Sequence, residues 1–229
     1  MSRAALKVAV FRAPEEGEAT QVLLAARGFV AVLAPVTEIV GLAVTAPAGP
    51  FDFAVATSAK AFAFGAGSAL GGLPLYVVGD KTAQAAARAG FAPAPAADDV
   101  KSLLARLPAG RALYLAGRDR TPDLEAALEG RIEVMEAYAA QARTGWRADE
   151  AGRVAGAAAA LHYSTRGAAL ATAFAERAGV GPSFLHLSHV CISRAAAAPL
   201  AAAARVMWPL KPTESALLDV LESARADRR

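Results

Sequence analysis

The 229-residue chain is predicted to fold as an α/β protein with two small parallel sheets rather than one large sheet. Three observations predict this. Short β-branched or aromatic runs alternate with longer helical patterns along the chain. The runs are apolar on both faces, as in strands covered by helices on each side. Nine such runs would crowd one sheet in so short a chain, whereas two sheets of about four or five strands hold them.

Composition bounds the classes. Hydrophobic residues are 55% and charged residues 20%, which supplies a core and argues against disorder. The net charge is +3, and only five of the 24 basic residues are lysine. The one compact basic cluster, the terminal "RADRR", reads as a solvated end, so no nucleic-acid partner is expected. The single cysteine, Cys191, cannot form an internal disulfide, which fits a reducing cytosol. The opening "MSRAALKVAVFRAP" enters a strand directly, with neither an h-region nor a cleavage site. The uncharged run 61–79 contains five glycines and Pro74, and so reads as helix, turn and strand rather than a membrane span. A cytoplasmic protein without a membrane partner is expected.

The elements follow in order. "LKVAVF" is a strand and "EEGEATQVLLAARG" its helix, leading to a second strand, "VAVLAPV". "FDFAVAT" ends at Thr57-Ser58 and runs into the helical pattern "KAFAFGAGSAL". "LPLYVVG" precedes the corner Asp80-Lys81-Thr82 and the helix "TAQAAARAG". "VKSLLARL" is helical, "RALYLAG" a strand, "TPDLEAALEG" helical and "RIEVMEAY" a strand. "AAALHYS" reaches Ser164-Thr165 and the helix "GAALATAFAERAG". "SFLHLSH" reads as the next strand, followed by "RAAAAPLAAAA", the strand "ARVMWP" and the closing helix "PTESALLDVLESARA". The order strand, hydroxyl pair, helix, strand, polar corner, Ala-rich helix occurs twice, which suggests two α/β domains with matching strand-to-helix turns.

Those turns are the candidate binding positions. In open parallel sheets ligands lie beyond the C-terminal strand ends, where unpaired helix N–H groups favour anions. The corners are Thr57-Ser58, Asp80-Lys81-Thr82, Ser164-Thr165 and residues 188–193. Taken singly, each is explained by helix capping alone. Four matching corners shift the reading towards a ligand that spans both domains. No GxGxxG follows a strand and no GxxxxGK[ST] occurs, so carboxylates fit the corners better than a dinucleotide or a nucleoside triphosphate. His186, His189 and Cys191 cluster in sequence, but on a strand His186 and Cys191 face opposite sides, so no metal is expected. A G-x-S-x-G elbow is absent, and Glu15-Glu16 and Asp98-Asp99 read as solvated helix starts.

In this order the pieces resemble the uroporphyrinogen-III synthase family over nearly the whole chain. "VAVFRAPEEGEATQVLLAARGFVAVLAPV", "FDFAVATSAKAF", "LYVVGDKTAQAAARAGF", "RALYLAGRDRTPDLEAALEGRIEVMEAY", "LHYSTRGAALATAF", "LSHVCISRAAAAPLAAA" and "KPTESALLDVLESA" carry the resemblance. It implies two small parallel-sheet α/β domains, one inserted in the other and joined by a two-stranded linker. Residues 1–36 and 147–229 would form the discontinuous domain and 41–135 the inserted one, with 37–40 and 136–146 as linker strands. It implies a cofactor-independent cyclising lyase that converts hydroxymethylbilane to uroporphyrinogen III, losing water and inverting the last pyrrole ring. Catalysis would rest on orientation, with the domains closing over the substrate. A monomer is implied, with hydroxymethylbilane synthase as a transient partner.

By the same resemblance Tyr138 matches the cleft tyrosine that hydrogen-bonds the departing hydroxyl, although it also reads as an aromatic packed on the linker. Ser58, Thr82, Ser164 and Ser193 match the family's binding hydroxyls, and Thr57 and Thr165 stand beside them in the same corners as further candidate binding residues. Arg12 matches the N-terminal arginine, or makes a surface ion pair or cap contact. Arg118, with Arg120 beside it, meets carboxylates or lies in an exposed charged loop. Cys191 and Arg194 depart from the family pattern, and Arg194 could itself contact a carboxylate. Two other readings stay open at this point: a two-domain protein that binds a small anionic ligand without catalysis, and a nucleotide-dependent enzyme with a degenerate loop.

Overall fold

A computed structural model describes residues 5–45 and 47–226. Asp227–Arg229, the end of the basic run "RADRR", and the first four residues of the opening segment lie outside the described residues. In chain order the first half contains β1 (Leu6–Val10), α1 (Pro14–Ala26), β2 (Phe29–Leu33), β3 (Thr37–Gly41), β4 (Phe53–Ala56), β5 (Leu75–Val77), α2 (Asp80–Arg88) and α3 (Val100–Leu104). Then follow β6 (Ala112–Gly117), α4 (Asp123–Ala127), β7 (Ile132–Ala142), α5 (Ala148–Ala155), β8 (Ala159–His162) and α6 (Thr165–Arg177). The chain closes with α7 (Gly181–Leu185), β9 (Ser188–Cys191), α8 (Arg194–Ala197), β10 (Arg205–Met207) and α9 (Glu214–Ala226).

Two five-stranded sheets form, in the orders β10-β9-β8-β1-β2 and β3-β7-β6-β4-β5. All four pairings in the first sheet are parallel, as are β5 with β4, β4 with β6 and β6 with β7 in the second. Packing divides the chain into one unit of Met1–Glu38 with Gln141–Arg229 and another of Ile39–Ala140.

Each sheet is covered on both faces, for the reason the apolar runs indicated. In the first unit Ala9, Ala160 and Cys191 point to a core with Phe174 and Phe184, while Val8, Val10, Leu161 and Val190 point to one with Leu217, Leu218 and Leu221 of α9. In the second, Ala54, Leu113, Leu115 and Met135 share a core with Phe62 and Leu70, and Phe53, Val55 and Tyr114 one with Leu103 and Leu124. Burying a leucine or phenylalanine in such a core stabilises by about 1.5–3 kcal/mol.

Three elements differ from the sequence reading. Residues 183–189 do not form a single strand: Pro182 starts α7, and β9 begins only at Ser188. His186 therefore caps α7 in an exposed position, and the opposite-face argument applied to it and Cys191 does not hold. The helix expected over residues 60–70 is two 3-10 turns, because Gly65 and Gly71 adopt left-handed φ values of 73° and 57°. Helix α5 was not anticipated; Glu150, three residues past its cap, accepts a hydrogen bond from the Arg147 amide at 2.9 Å.

Candidate functional site

The topology gathers the expected site residues along the C-terminal edge of each sheet. In the second unit, Thr57-Ser58 and Gly79–Thr82 follow the ends of β4 and β5, and Tyr138, within β7, lies level with Gly117 at the end of β6, so the four positions stand on adjacent strands. At about 4.8 Å per strand, that row spans roughly 14 Å. In the first unit, Ser193 after β9, Ser164-Thr165 after β8 and Arg12 after β1 end three adjacent strands.

The serines are caps. Ser58 accepts from the Lys60 amide at 3.3 Å, Ser164 from Gly167 at 3.0 Å and Ser193 from Ala196 at 3.3 Å. In each case a lone pair is used, so the hydroxyl proton stays available. The Thr82 corner is built differently. Gly79 caps α2 with φ 80° and gives no side-chain bond, while Thr82 is 4% exposed in the first turn. Thr165 donates its proton to the Ala195 carbonyl at 2.9 Å, and the Thr57 hydroxyl lies 2.7 Å from that of Tyr114. Burial raises the Tyr114 phenol above its usual range, against the opposing bond to Thr57.

Arg118 and Arg120 have protein partners. Arg118 donates to Glu136 at 3.0 Å and is 58% exposed. Arg120 donates to Glu125 at 2.7 Å, to Glu136 at 3.3 Å and to the Gly117 carbonyl at 3.0 Å. Bonds to Arg118, then to Arg120, hold the Glu136 carboxyl below its usual range despite some burial. Arg194 is exposed at the first residue of α8.

Arg12 belongs to a cluster that sequence reasoning missed. Its guanidinium lies 4.2 Å over the Tyr163 ring and donates to Glu214 at 3.1 Å. Tyr163 and Thr20 donate to the same Glu214 oxygen at 2.7 and 3.0 Å, so three donors converge on one acceptor. Burial raises the Tyr163 phenol well above its usual range. Arg12 and Glu214 are 202 residues apart, which leaves no local signal; Tyr163 had one, as a polar intrusion in an apolar lead-in.

Tyr138 is half-buried against the Phe62–Leu70 side of its sheet, and its carbonyl accepts from the Arg118 amide at 2.9 Å. Among the described residues no group of three or more His, Cys, Asp or Glu is placed to hold a metal ion, and no helix is long and apolar enough to cross a membrane.

Comparison with known proteins bears on this arrangement. An uroporphyrinogen-III synthetase from Helicobacter pylori is 14% identical, with 96% of this chain and 99% of that one covered and a TM-score of 0.57; the likeness is one of fold. An uroporphyrinogen III synthase from Thermus thermophilus is 20% identical over 97% of this chain and 100% of that one, with a TM-score of 0.47. No curated protein sequence matches. The sequence model of the family described as uroporphyrinogen-III synthase HemD matches residues 18–219. With that match extending over most of both units, the chain belongs to the uroporphyrinogen-III synthase family.

Proposed function

We propose that this chain closes hydroxymethylbilane to uroporphyrinogen III, expelling water and inverting the last pyrrole ring, as a cyclising lyase that needs no cofactor. The family match over residues 18–219 carries the reading. The chemistry suits the residues. An electron-rich pyrrole loses its hydroxyl readily, and the unassisted chain closes to the uninverted isomer. The protein's task is then to hold a flexible chain bearing acetate and propionate arms so that attack falls on the substituted carbon.

The proposed grips are the corners of each unit. Ser58, Ser164 and Ser193 keep their protons for a carboxylate while their lone pairs cap helices. Thr82 and the first amides of α2 form a further donor set. Thr57 and Thr165, bonded to Tyr114 and Ala195, shape the turns beside those donors. Arg12, Arg118 and Arg194 add positive charge at the strand ends, partly offset at Arg12 by Glu214 and at Arg118 by Glu136. Tyr138 donates a hydrogen bond to the departing hydroxyl, which leaves as water once protonated. The protein is proposed to act as a monomer and to receive substrate from hydroxymethylbilane synthase through transient contact.

The test is to supply fresh hydroxymethylbilane, oxidise the products and separate the porphyrin isomers by chromatography. Isomer III formed in proportion to enzyme is the expected result. Isomer I alone, as from a binding protein without chemistry, overturns the proposal.

A further inference from the structure

Gly117 is the last residue of β6 and is buried. It is not among the glycines with positive φ, so its backbone would accept a side chain. What excludes one is Tyr138. A Cβ at position 117 would lie 2.6 Å from the Tyr138 Cζ, 2.7 Å from Cε2 and 2.9 Å from the hydroxyl oxygen. Ordinary van der Waals contact needs about 3.5–4 Å, so the ring rests on the bare Cα of Gly117.

The backbone sets up this contact. Up to Ala116↔Glu136 the pairing of β6 with β7 advances one residue at a time; Gly117 then pairs with Tyr138, and Ala137 is skipped. A strand alternates faces, so without the irregularity Tyr138 would share the side of Val134 and Glu136. With it, Tyr138 packs beside Met135 and Ala137, on the face to which Leu113 and Leu115 point. The Gly117 carbonyl is held by Arg120, itself fixed by Glu125 and Glu136. Irregular pairings of this kind re-aim side chains at strand ends.

We infer that Gly117 is a positioning residue: by lacking a side chain beside a break in the β6–β7 register, it sets where the Tyr138 hydroxyl stands at the sheet edge. The inference rests on the role proposed above for Tyr138. The colliding atoms are the tip of a side chain with two rotatable bonds, so Gly117→Ala displaces the ring by about 1 Å rather than unfolding the sheet.

Two cycles test this. In the first, kcat and KM for isomer III formation are measured for Gly117→Ala, Tyr138→Phe and the double variant. Each single variant is expected to lose about tenfold in kcat, the factor for one hydrogen bond to the departing group. The double variant is expected to match Tyr138→Phe, with KM unchanged throughout. Losses that multiply overturn the inference. The second cycle needs no catalysis. The urea midpoint of Gly117→Ala is compared in the Tyr138 and Tyr138→Ala backgrounds, and the loss is expected only where the ring is present. An equal loss in both backgrounds, or a Gly117→Ala chain that fails to fold in both, overturns it. Full turnover by Tyr138→Phe would refute the role of Tyr138 itself and leave the second cycle to decide the geometry.

Discussion

Acid should weaken the first unit through two buried histidines, and the size of the loss follows from their hydrogen bonds. His162 and His189 are 2% and 0% exposed, with His162 Nε2 2.9 Å from His189 Nδ1 and His189 Nε2 2.9 Å from the Phe184 carbonyl. A carbonyl only accepts, so Nε2 of His189 carries its proton; its Nδ1 is then a lone pair, and Nε2 of His162 donates to it. That leaves His162 Nδ1 as a second lone pair, buried and without a partner. Phe11 and Phe184 face the pair as rings, and the neighbouring Cys191 thiol is neutral, pushed up by burial to about 12. A proton on His162 would find no acceptor. Burial, then the charge of His189, puts the His162 pKa well below the ordinary 6.5; burial lowers His189 to about 4, against the opposing bond to Phe184.

The unfolded chain binds these protons near pH 6.5 and the folded one does not, so stability is complete above 6.5 and falls as pH drops from there towards 4. Each histidine contributes about 1.4 kcal/mol per pH unit below 6.5, or about 4 kcal/mol for the pair by pH 5. Glu136 and Glu150, whose folded pKa values are lowered from 4.5, add their losses only below that value, which leaves the histidines a window of their own. Both tryptophans, Trp146 and Trp208, lie in this unit, and Trp146 stacks on Phe11 at 5.4 Å. Tryptophan fluorescence during urea unfolding at pH 7, 6 and 5 therefore reads this unit alone. With a slope of about 2–3 kcal/mol per molar urea, the midpoint should fall by about 1.3–2 M. The double variant His162→Gln with His189→Gln should lose most of that dependence. A wild-type midpoint flat from pH 7 to 5, or an equal fall in the double variant, would refute the reasoning.

Two further perturbations address stability. Glu150 is 4% exposed and receives two bonds from Arg143, at 3.1 and 3.0 Å, so Glu150→Gln should cost about 3 kcal/mol in the same fluorescence assay. Burial alone would raise the Glu150 carboxyl, but Arg143 and the Arg147 amide outweigh it; the stabilisation is present above pH 4.5 and lost as pH falls through the lowered value. Tyr114→Phe removes the 2.7 Å bond to Thr57 and should lower stability by about 1 kcal/mol, read by far-UV circular dichroism in urea; an unchanged midpoint would show that bond to be idle.

Local order was legible in the sequence, and remote pairing was not. "LKVAVF" and "RALYLAG" announced β1 and β6 because a strand buried on both faces is apolar at successive positions, as at Val8–Val10 and Ala112–Gly117. "SFLHLSH" misled because Leu185 to Ser188 alternate apolar and polar, while Pro182 just upstream lies in the first turn of a helix that overrode the alternation. The glycines of "GAGSALGG" were visible, but which of them would turn left-handed depends on what the chain must cover next. The corner serines were found because capping is a rule over three residues. The register break that aims Tyr138 was not, since a skipped residue in a parallel pair leaves no mark in either strand alone.

The corner serines also explain why sequence could not separate capping from binding. A cap uses the oxygen lone pair, an anion uses the hydroxyl proton, and one serine can do both. The two roles part when the proton is removed and the acceptor kept. Ser164→Asp does this: aspartate caps helices as well as serine and suits the α6 N-terminus, so the midpoint should change by less than about 0.5 kcal/mol. For a substrate carboxylate the same change replaces a donor with a like charge, which should raise KM for hydroxymethylbilane about tenfold or more with little effect on kcat. An unchanged KM at a preserved midpoint would make Ser164 a cap and nothing else, and the corner reading of the first unit would lose its clearest member.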